Sequence, residues 1–307
     1  MTETGAGGDR MDYRASLIRK LKKIELVTRG LVSGLQPGLH HSHFKGKGME
    51  FAEIREYVAG DDVRSIDWKV TARYNHPFIR EYAEERDQTF YFLVDVSGSG
   101  TFGSKETKQE KMLEVTASLA FAALNNNDRI GLCLFSDRVE DFRPAGRGRK
   151  HLISLLNTLI GNVPVSRNTD IAGAARFIGK VLPRRSSVII LSDFAAPEFL
   201  PELRVLARRH EVIAIRVADI REQEIPDAGL IMLEDPETGE QILADTSDTA
   251  FRDRYAALAA EEARALASGL SRAGVGNVFL QTTDSCDIPL ITFFRAMKWR
   301  RRYGRVL

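Results

Sequence analysis

Asp95, Ser97 and Ser99 stand in a D-x-S-x-S pattern at the end of the apolar run Gln88 to Val94 and just before a long helical stretch. A strand ending there leaves one carboxylate and two hydroxyls converging in the turn above the sheet edge. All three are hard oxygen donors suited to magnesium or manganese. Two distant residues extend the set: Thr169, in Asn168-Thr169-Asp170, begins a helical stretch, and Asp193 closes a second apolar run, Ser187 to Ser192. In an open α/β sheet the loops beyond the carboxyl ends of neighbouring parallel strands meet at the topological switch point, so three short segments can share one crevice and supply one cation. The plainer alternative is a serine-rich turn whose side chains cap helices, and Asp170 can cap the helix that Thr169 opens.

Other chemistry is spelled in the same stretch. Gly98, Gly100 and Gly103 form G-x-G-x-x-G after a strand and before a helix, the context of a dinucleotide fingerprint. A nucleotide-dependent oxidoreductase is therefore the runner-up reading. Against it, Asp95 sits at the strand exit, where a bare carboxylate repels a pyrophosphate, and Asp137, which closes the next strand, lies farther on than the usual acidic partner. The glycines also approach a phosphate-binding loop, but Ser104-Lys105 reverses the order of lysine and hydroxyl that such a loop needs. No G-x-S-x-G elbow surrounds Ser97 or Ser99, and no context points His151 at either serine, so the pattern of a serine hydrolase is missing. The tract His40-His41-Ser42-His43 lacks a cysteine or carboxylate at a metal-binding interval and reads as a solvated loop.

The chain of 307 residues, 43% hydrophobic and 28% charged, is long enough for one large domain, or for a domain with an annex. Its 44 basic and 42 acidic residues nearly cancel to +2, which does not suit a nucleic-acid partner. The stretch Lys298 to Arg305 is locally basic and reads as a solvated helix end. No run is long and apolar enough to span a bilayer, and the first residues lack the apolar core of a signal peptide; a cytoplasmic location is expected. Cys133 in an apolar strand and Cys286 in a loop make neither a disulfide framework nor a metal spacing.

Periodicity sets out the elements that must position these residues. Residues 1–10 read as a disordered tail. Residues 11–34 read as an amphipathic helix ended by Gly34 and Pro37, and the annex, with strand-like pieces at 51–58 and 78–82, completes a unit spanning 11–86. From residue 87 to 307, strands are expected at 88–95, 129–135, 187–192, 211–217 and 277–282, with an antiparallel edge at 138–143. Helices are expected at 105–126, 148–161, 169–182, 199–209, 249–272 and 287–302, and 230–243 reads as a hairpin inserted at the surface. The alternation predicts an α/β, three-layer, mostly parallel sheet with helices on both faces.

The constellation of Asp95, Ser97, Ser99, Thr169 and Asp193 resembles the metal-ion-dependent adhesion site of von Willebrand factor A domains. The resemblance implies that Asp95, Ser97, Ser99 and Thr169 bind the ion, Mg2+ or Mn2+, while Asp193 binds it directly or through water. Phe194 departs from the family, in which glycine commonly follows that aspartate. The annex carries the most particular wording of the chain, at Gly46 to Arg73 (GKGMEFAEIREYVAGDDVRSIDWKVTAR). Gly48, Glu50, Phe51, Arg55, Glu56, Tyr57, Gly60, Asp61, Asp62, Arg64, Asp67, Trp68, Ala72 and Arg73 resemble the signature of a bacterial von Willebrand A-like family, domain of unknown function 58. That resemblance runs on to the carboxy-terminal PLITFFRAMKWRRRYG. It implies a non-catalytic adaptor that works with a MoxR-type AAA+ ATPase on client proteins in chaperone-like maturation or assembly.

Within the annex, carboxylates at Asp61, Asp62 and Asp67 beside Arg64 and Arg73 are expected to satisfy their charges in a fixed network, with Phe51, Ile66 and Trp68 anchoring it to a core. The network either docks the annex or turns some of its charges to a partner.

Overall fold

The computed structural model describes residues 50–58, 61–74, 76–83, 88–234 and 239–285. The expected tail 1–10, the helix 11–34, the histidine tract, Cys286, the helix 287–302 and the basic stretch 298–305 lie outside them. The described residues fall into two compact units, one within Gln36–Asp87 and one holding everything described from Gln88 onward.

In the smaller unit β1 (Glu50–Glu56) pairs antiparallel with β2 (Phe78–Ala83). Between them come a 3-10 turn, Val63–Ser65, and a short helix, α1 (Trp68–Tyr74), that the periodicity did not announce. Carboxylates open both. Asp62 accepts from the Arg64 amide at 3.0 Å, and buried Asp67 accepts from the Lys69 and Val70 amides at 3.0 and 3.3 Å. Asp61 instead takes the Arg55 guanidinium as a fork, with two contacts of 2.8 Å.

The acidic residues therefore act one turn at a time, and the expected network with Arg64 and Arg73 is corrected: among the described residues neither arginine makes an ion pair. Trp68 is a second correction. Its side chain is 69% exposed, not anchored in a core. Helix α1 has only two turns, and its more covered positions go to Val70 and to Thr71, whose hydroxyl accepts from the Phe78 amide at 3.0 Å.

The larger unit is built on six strands: β3 (Thr89–Asp95), β4 (Arg129–Phe135), β5 (Val139–Gly146), β6 (Ser187–Ser192), β7 (Glu211–Ala218) and β10 (Gly276–Gln281). Their order is β10-β7-β6-β3-β4-β5, parallel throughout except for β5, which pairs antiparallel with β4 at the edge. The short hairpin of β8 (Leu230–Glu234) and β9 (Gln241–Asp245) stands apart from this sheet. Central strands buried on both faces need continuous apolar runs, which is how β3, β4 and β6 read.

Alternate residues of β3 enter different cores. Phe92 and Val94 pack with α2 (Lys108–Asn125) and α3 (Arg149–Gly161), through Met112, Val115, Leu152 and Leu156. Tyr91 and Leu93 pack with α4 (Ile171–Val181) and α5 (Leu200–Arg209), through Ile178 and Leu203, and with Leu270 near the end of α6 (Thr249–Arg272). This is the three-layer, Rossmann-like arrangement that the alternation predicted. Cys133 is buried inside it, and its thiol is pushed up to about 12 by burial and by Asp141. Among the described residues no helix is long and apolar enough to cross a membrane.

Candidate metal centre

The sheet order makes β3 and β6 neighbours, although two strands separate them in sequence. Val94 lies beside Leu191, so the carboxyl ends of the two strands finish together, with Asp95 closing β3 and Ser192 closing β6. From β3 the chain moves to β4 on one side and later returns to β6 on the other, which places the topological switch above these two ends.

Side chains fill that position. Asp95 Oδ1 accepts from the Ser97 amide at 3.0 Å, and Oδ2 accepts from the Ser192 hydroxyl at 2.7 Å. Ser97 Oγ and Ser99 Oγ lie 3.1 Å apart. Asp193 Oδ1 accepts from the Ala195 amide at 3.2 Å, and the Ser99 hydroxyl helps to lower the Asp193 carboxyl. Asp95, Ser97, Ser99, Ser192 and Asp193 are all buried. The third segment is tied alongside: the Gly98 amide donates to the Arg167 carbonyl at 2.9 Å, and the Asp170 amide to the Ser136 carbonyl at 2.7 Å. Thr169 therefore rides on a loop fixed to the turn after β3 and to the end of β4. Helix α4 opens after it, at Ile171, with Asp170 capping the Gly173 amide at 2.7 Å.

Charge is concentrated in this small volume. Burial, aided by the neighbouring Asp193 carboxylate, pushes Asp95 up to about 6. Burial pushes Asp193 the same way, but the Lys108 ammonium prevails and holds it below the ordinary carboxylate range. Lys108 Nζ lies 2.6 Å from Asp193 Oδ2 and 2.6 Å from Glu222 Oε1. The Asp193 and Glu222 carboxylates in turn keep this buried lysine charged against the cost of its burial. Carboxylate and hydroxyl oxygens converging on a rim with more negative than positive groups fit a hard divalent cation. Among the described residues no group of three or more histidine, cysteine, aspartate or glutamate side chains is gathered for a metal, so a site here has to draw on hydroxyls.

Residues 53–265 match the family described as "Protein of unknown function DUF58". The chain belongs to that family. It is 34% identical over 289 residues to "Uncharacterized protein Rv1480" of Mycobacterium tuberculosis, an alignment that covers 92% of this chain and 86% of the relative. Among solved structures it is similar to BatB from Bacteroides thetaiotaomicron, with TM-score 0.45, 14% identity and coverage of 70% of this chain and 99% of that one. It is also similar to proximal thread matrix protein 1 from the mussel byssus, a structure described as having a zinc-occupied MIDAS motif. That match has TM-score 0.36, 20% identity and coverage of 43% and 38%.

In this DUF58 chain the glycine loop does not lead into an open helix terminus. Gly98–Thr101 is a 3-10 turn, and α2 starts only at Lys108. Its first amides are closed by Thr107 and Glu110, each side chain accepting from the other's backbone at 3.1 and 3.2 Å. Gly103 has a local reason to be glycine, since a Cβ there would lie 2.0 Å from the Glu106 carbonyl oxygen. The fingerprint's phosphate cradle is thus missing from this loop. His151 is likewise engaged elsewhere, 2.8 Å from the Ile130 carbonyl.

Phe194 explains the departure from glycine after Asp193. Its φ is 59°, the left-handed region that glycine enters freely. The ring is buried against Phe199, with centroids 5.6 Å apart, so packing holds a conformation that the residue type disfavours.

The sequence pattern missed three participants. Ser192 was legible as the last residue of the second apolar run. Lys108 gave a weaker signal, a lysine at the head of a helix whose neighbours are buried. Glu222 gave none, because it reaches the site only through the turn after β7.

Proposed function

We propose that this DUF58 protein is a non-catalytic, metal-dependent protein-interaction adaptor that works with a MoxR-type AAA+ ATPase in chaperone-like maturation or assembly of client proteins. Asp95, Ser97, Ser99 and Thr169 hold one divalent cation, Mg2+ or Mn2+, and Asp193 completes or orients the shell. The observation that supports this reading is the convergence of two buried carboxylates and two adjacent hydroxyls at the switch point. The bound cation supplies an open position for a carboxylate from a partner. Hydroxyl donors add no charge, so the attraction for that incoming carboxylate is retained in the partly desolvated crevice. The choice of ATPase partner rests on the family resemblance.

The test is thermal unfolding with and without Mg2+ or Mn2+. A ligand at roughly a hundred times its dissociation constant stabilises the fold by about 2.7 kcal/mol. Asp95→Ala is expected to remain folded and to lose this response; a variant that responds as the wild type does would remove Asp95 from the ligand set. Binding to a MoxR-type ATPase, measured by calorimetry or pull-down, is expected to weaken with chelator and to be lost in Ser97→Ala and Thr169→Ala. Equal binding with and without chelator would move the interface away from the site.

A further inference from the structure

The ammonium of Lys108 is buried against the candidate metal centre, in contact with Asp193, and nothing in the adhesion-site pattern calls for it. Lysine at the first position of α2 would ordinarily extend into water. Here the side chain turns inward and ends between two carboxylates from different strands. Its Nζ contacts are Asp193 Oδ2, after β6, and Glu222 Oε1, after β7, both at 2.6 Å.

The far end of this arrangement is itself braced. Glu222 Oε2 accepts from the Asp219 amide at 2.9 Å. Buried Asp219 accepts from the Ser104 amide and hydroxyl at 2.9 and 3.0 Å and from the Thr282 hydroxyl at 2.6 Å. The lysine is therefore held from its own loop and from the ends of β7 and β10.

Resting on the metal-site reading above, we propose that Lys108 is a positioning residue that clamps Asp193 away from direct coordination and acts as a tethered competitor for the cation. Asp193 has two oxygens. Oδ2 is taken by the ammonium, and Oδ1 faces the Ala195 amide. With one carboxylate neutralised in this way, Asp95 is left as the single anionic ligand. The isolated protein then binds its cation weakly, and an acidic group from a partner tightens the hold. Ion affinity and partner affinity are coupled through one ammonium, because each supplies what the clamp withholds.

The experiment is a Mn2+ titration of the full chain, followed by electron paramagnetic resonance of free Mn2+, for wild type, Lys108→Met, Asp193→Asn and the double variant, each with and without Asp95→Ala. Freeing Asp193 and removing a positive charge within contact distance of it is expected to tighten Mn2+ binding about tenfold or more in Lys108→Met. In the Asp193→Asn background the same substitution should change affinity by no more than roughly threefold, because the two residues act as one unit.

Lys108→Met leaves two carboxylates without their cation and is expected to be less stable without metal. Lys108→Gln, which removes the charge while keeping a hydrogen-bond donor, is the second variant, and the dependence of its melting temperature on Mn2+ provides the second readout. Wild-type binding that depends on Asp95 but is not tightened by either lysine substitution would overturn the clamp and leave the metal site standing. A full gain that persists without Asp193 would also overturn it, by reducing Lys108 to a distant charge. Absence of Asp95-dependent Mn2+ binding in every variant would overturn both this inference and the metal-site reading.

Discussion

The Ser192 hydroxyl donates to Asp95 Oδ2 at 2.7 Å, joining the last residues of two strands that are neighbours in the sheet and 97 positions apart in the chain. The Ser192 Oγ itself accepts from the Phe194 amide at 3.0 Å. One small side chain thus fixes the rotamer of the central carboxylate and the course of the loop that carries Asp193. Groups that orient a metal-binding carboxylate typically change metal affinity by about 10- to 100-fold when removed. Ser192→Ala is expected to weaken Mn2+ binding within that range and to cost about 1–3 kcal/mol of stability, since a buried acceptor loses its donor. Unchanged affinity in a titration would show that Asp95 is oriented by its backbone alone.

Phe194 tests the balance between backbone and packing. Relief of its left-handed conformation by glycine is worth roughly 1–2 kcal/mol. Loss of a buried phenyl ring costs about 3–5 kcal/mol. Phe194→Gly should therefore be destabilising by about 2 kcal/mol on balance, with metal affinity little changed because the backbone path is kept. Urea unfolding decides the first expectation and Mn2+ titration the second. A stabilised variant would mean that the strain outweighs the ring.

The main sheet was legible because its strands are unbroken apolar runs and its helices carry buried stripes, so period and length told them apart. Asp95, Ser97, Ser99 and Asp193 were legible because a strand end followed by small polar residues is a local signal, and the switch point brings two such ends together. Thr169 was read as opening a helix that starts two residues later, an error of the size that capping residues commonly cause. Lys108 and Glu222 were hidden for a different reason. Their partners lie 85 and 114 positions from Lys108 in sequence, and pairing over such spans comes from topology, which no local pattern encodes. Trp68 misled because a large aromatic among charges reads as an anchor, whereas a two-turn helix has too little covered face to bury it.

Exposure of that indole makes its own prediction. With the ring 69% exposed, Trp68→Ala is expected to change stability by no more than about 0.5 kcal/mol. Its fluorescence should be readily quenched by iodide once Trp299 has been replaced to isolate the signal. Protection from quencher, or a loss of several kcal/mol on substitution, would show that the side chain is covered in solution; free quenching favours a partner-facing role for this part of the annex.

The annex also carries a pH signature. The Arg55 fork, followed by the Val58 amide, lowers Asp61 from its ordinary 3.8 to about 2. A carboxylate whose folded-state pKa is depressed stabilises the fold fully above its unfolded value and loses that contribution as pH falls through the folded one. The window for Asp61 therefore runs from about pH 4 down to about pH 2. Arg55→Met removes both guanidinium contacts with Asp61 and should return the midpoint toward 3.8. Arg55→Lys is expected to behave almost like Arg55→Met, because a point ammonium cannot reproduce the two-toothed contact. Carbon-13 NMR of the carboxyl groups reads the midpoint directly. A wild-type value near 3.8 would show that the fork does not lower Asp61 in solution, and full retention of the depressed value in Arg55→Lys would show that proximity of charge, and not the paired geometry, sets its acidity.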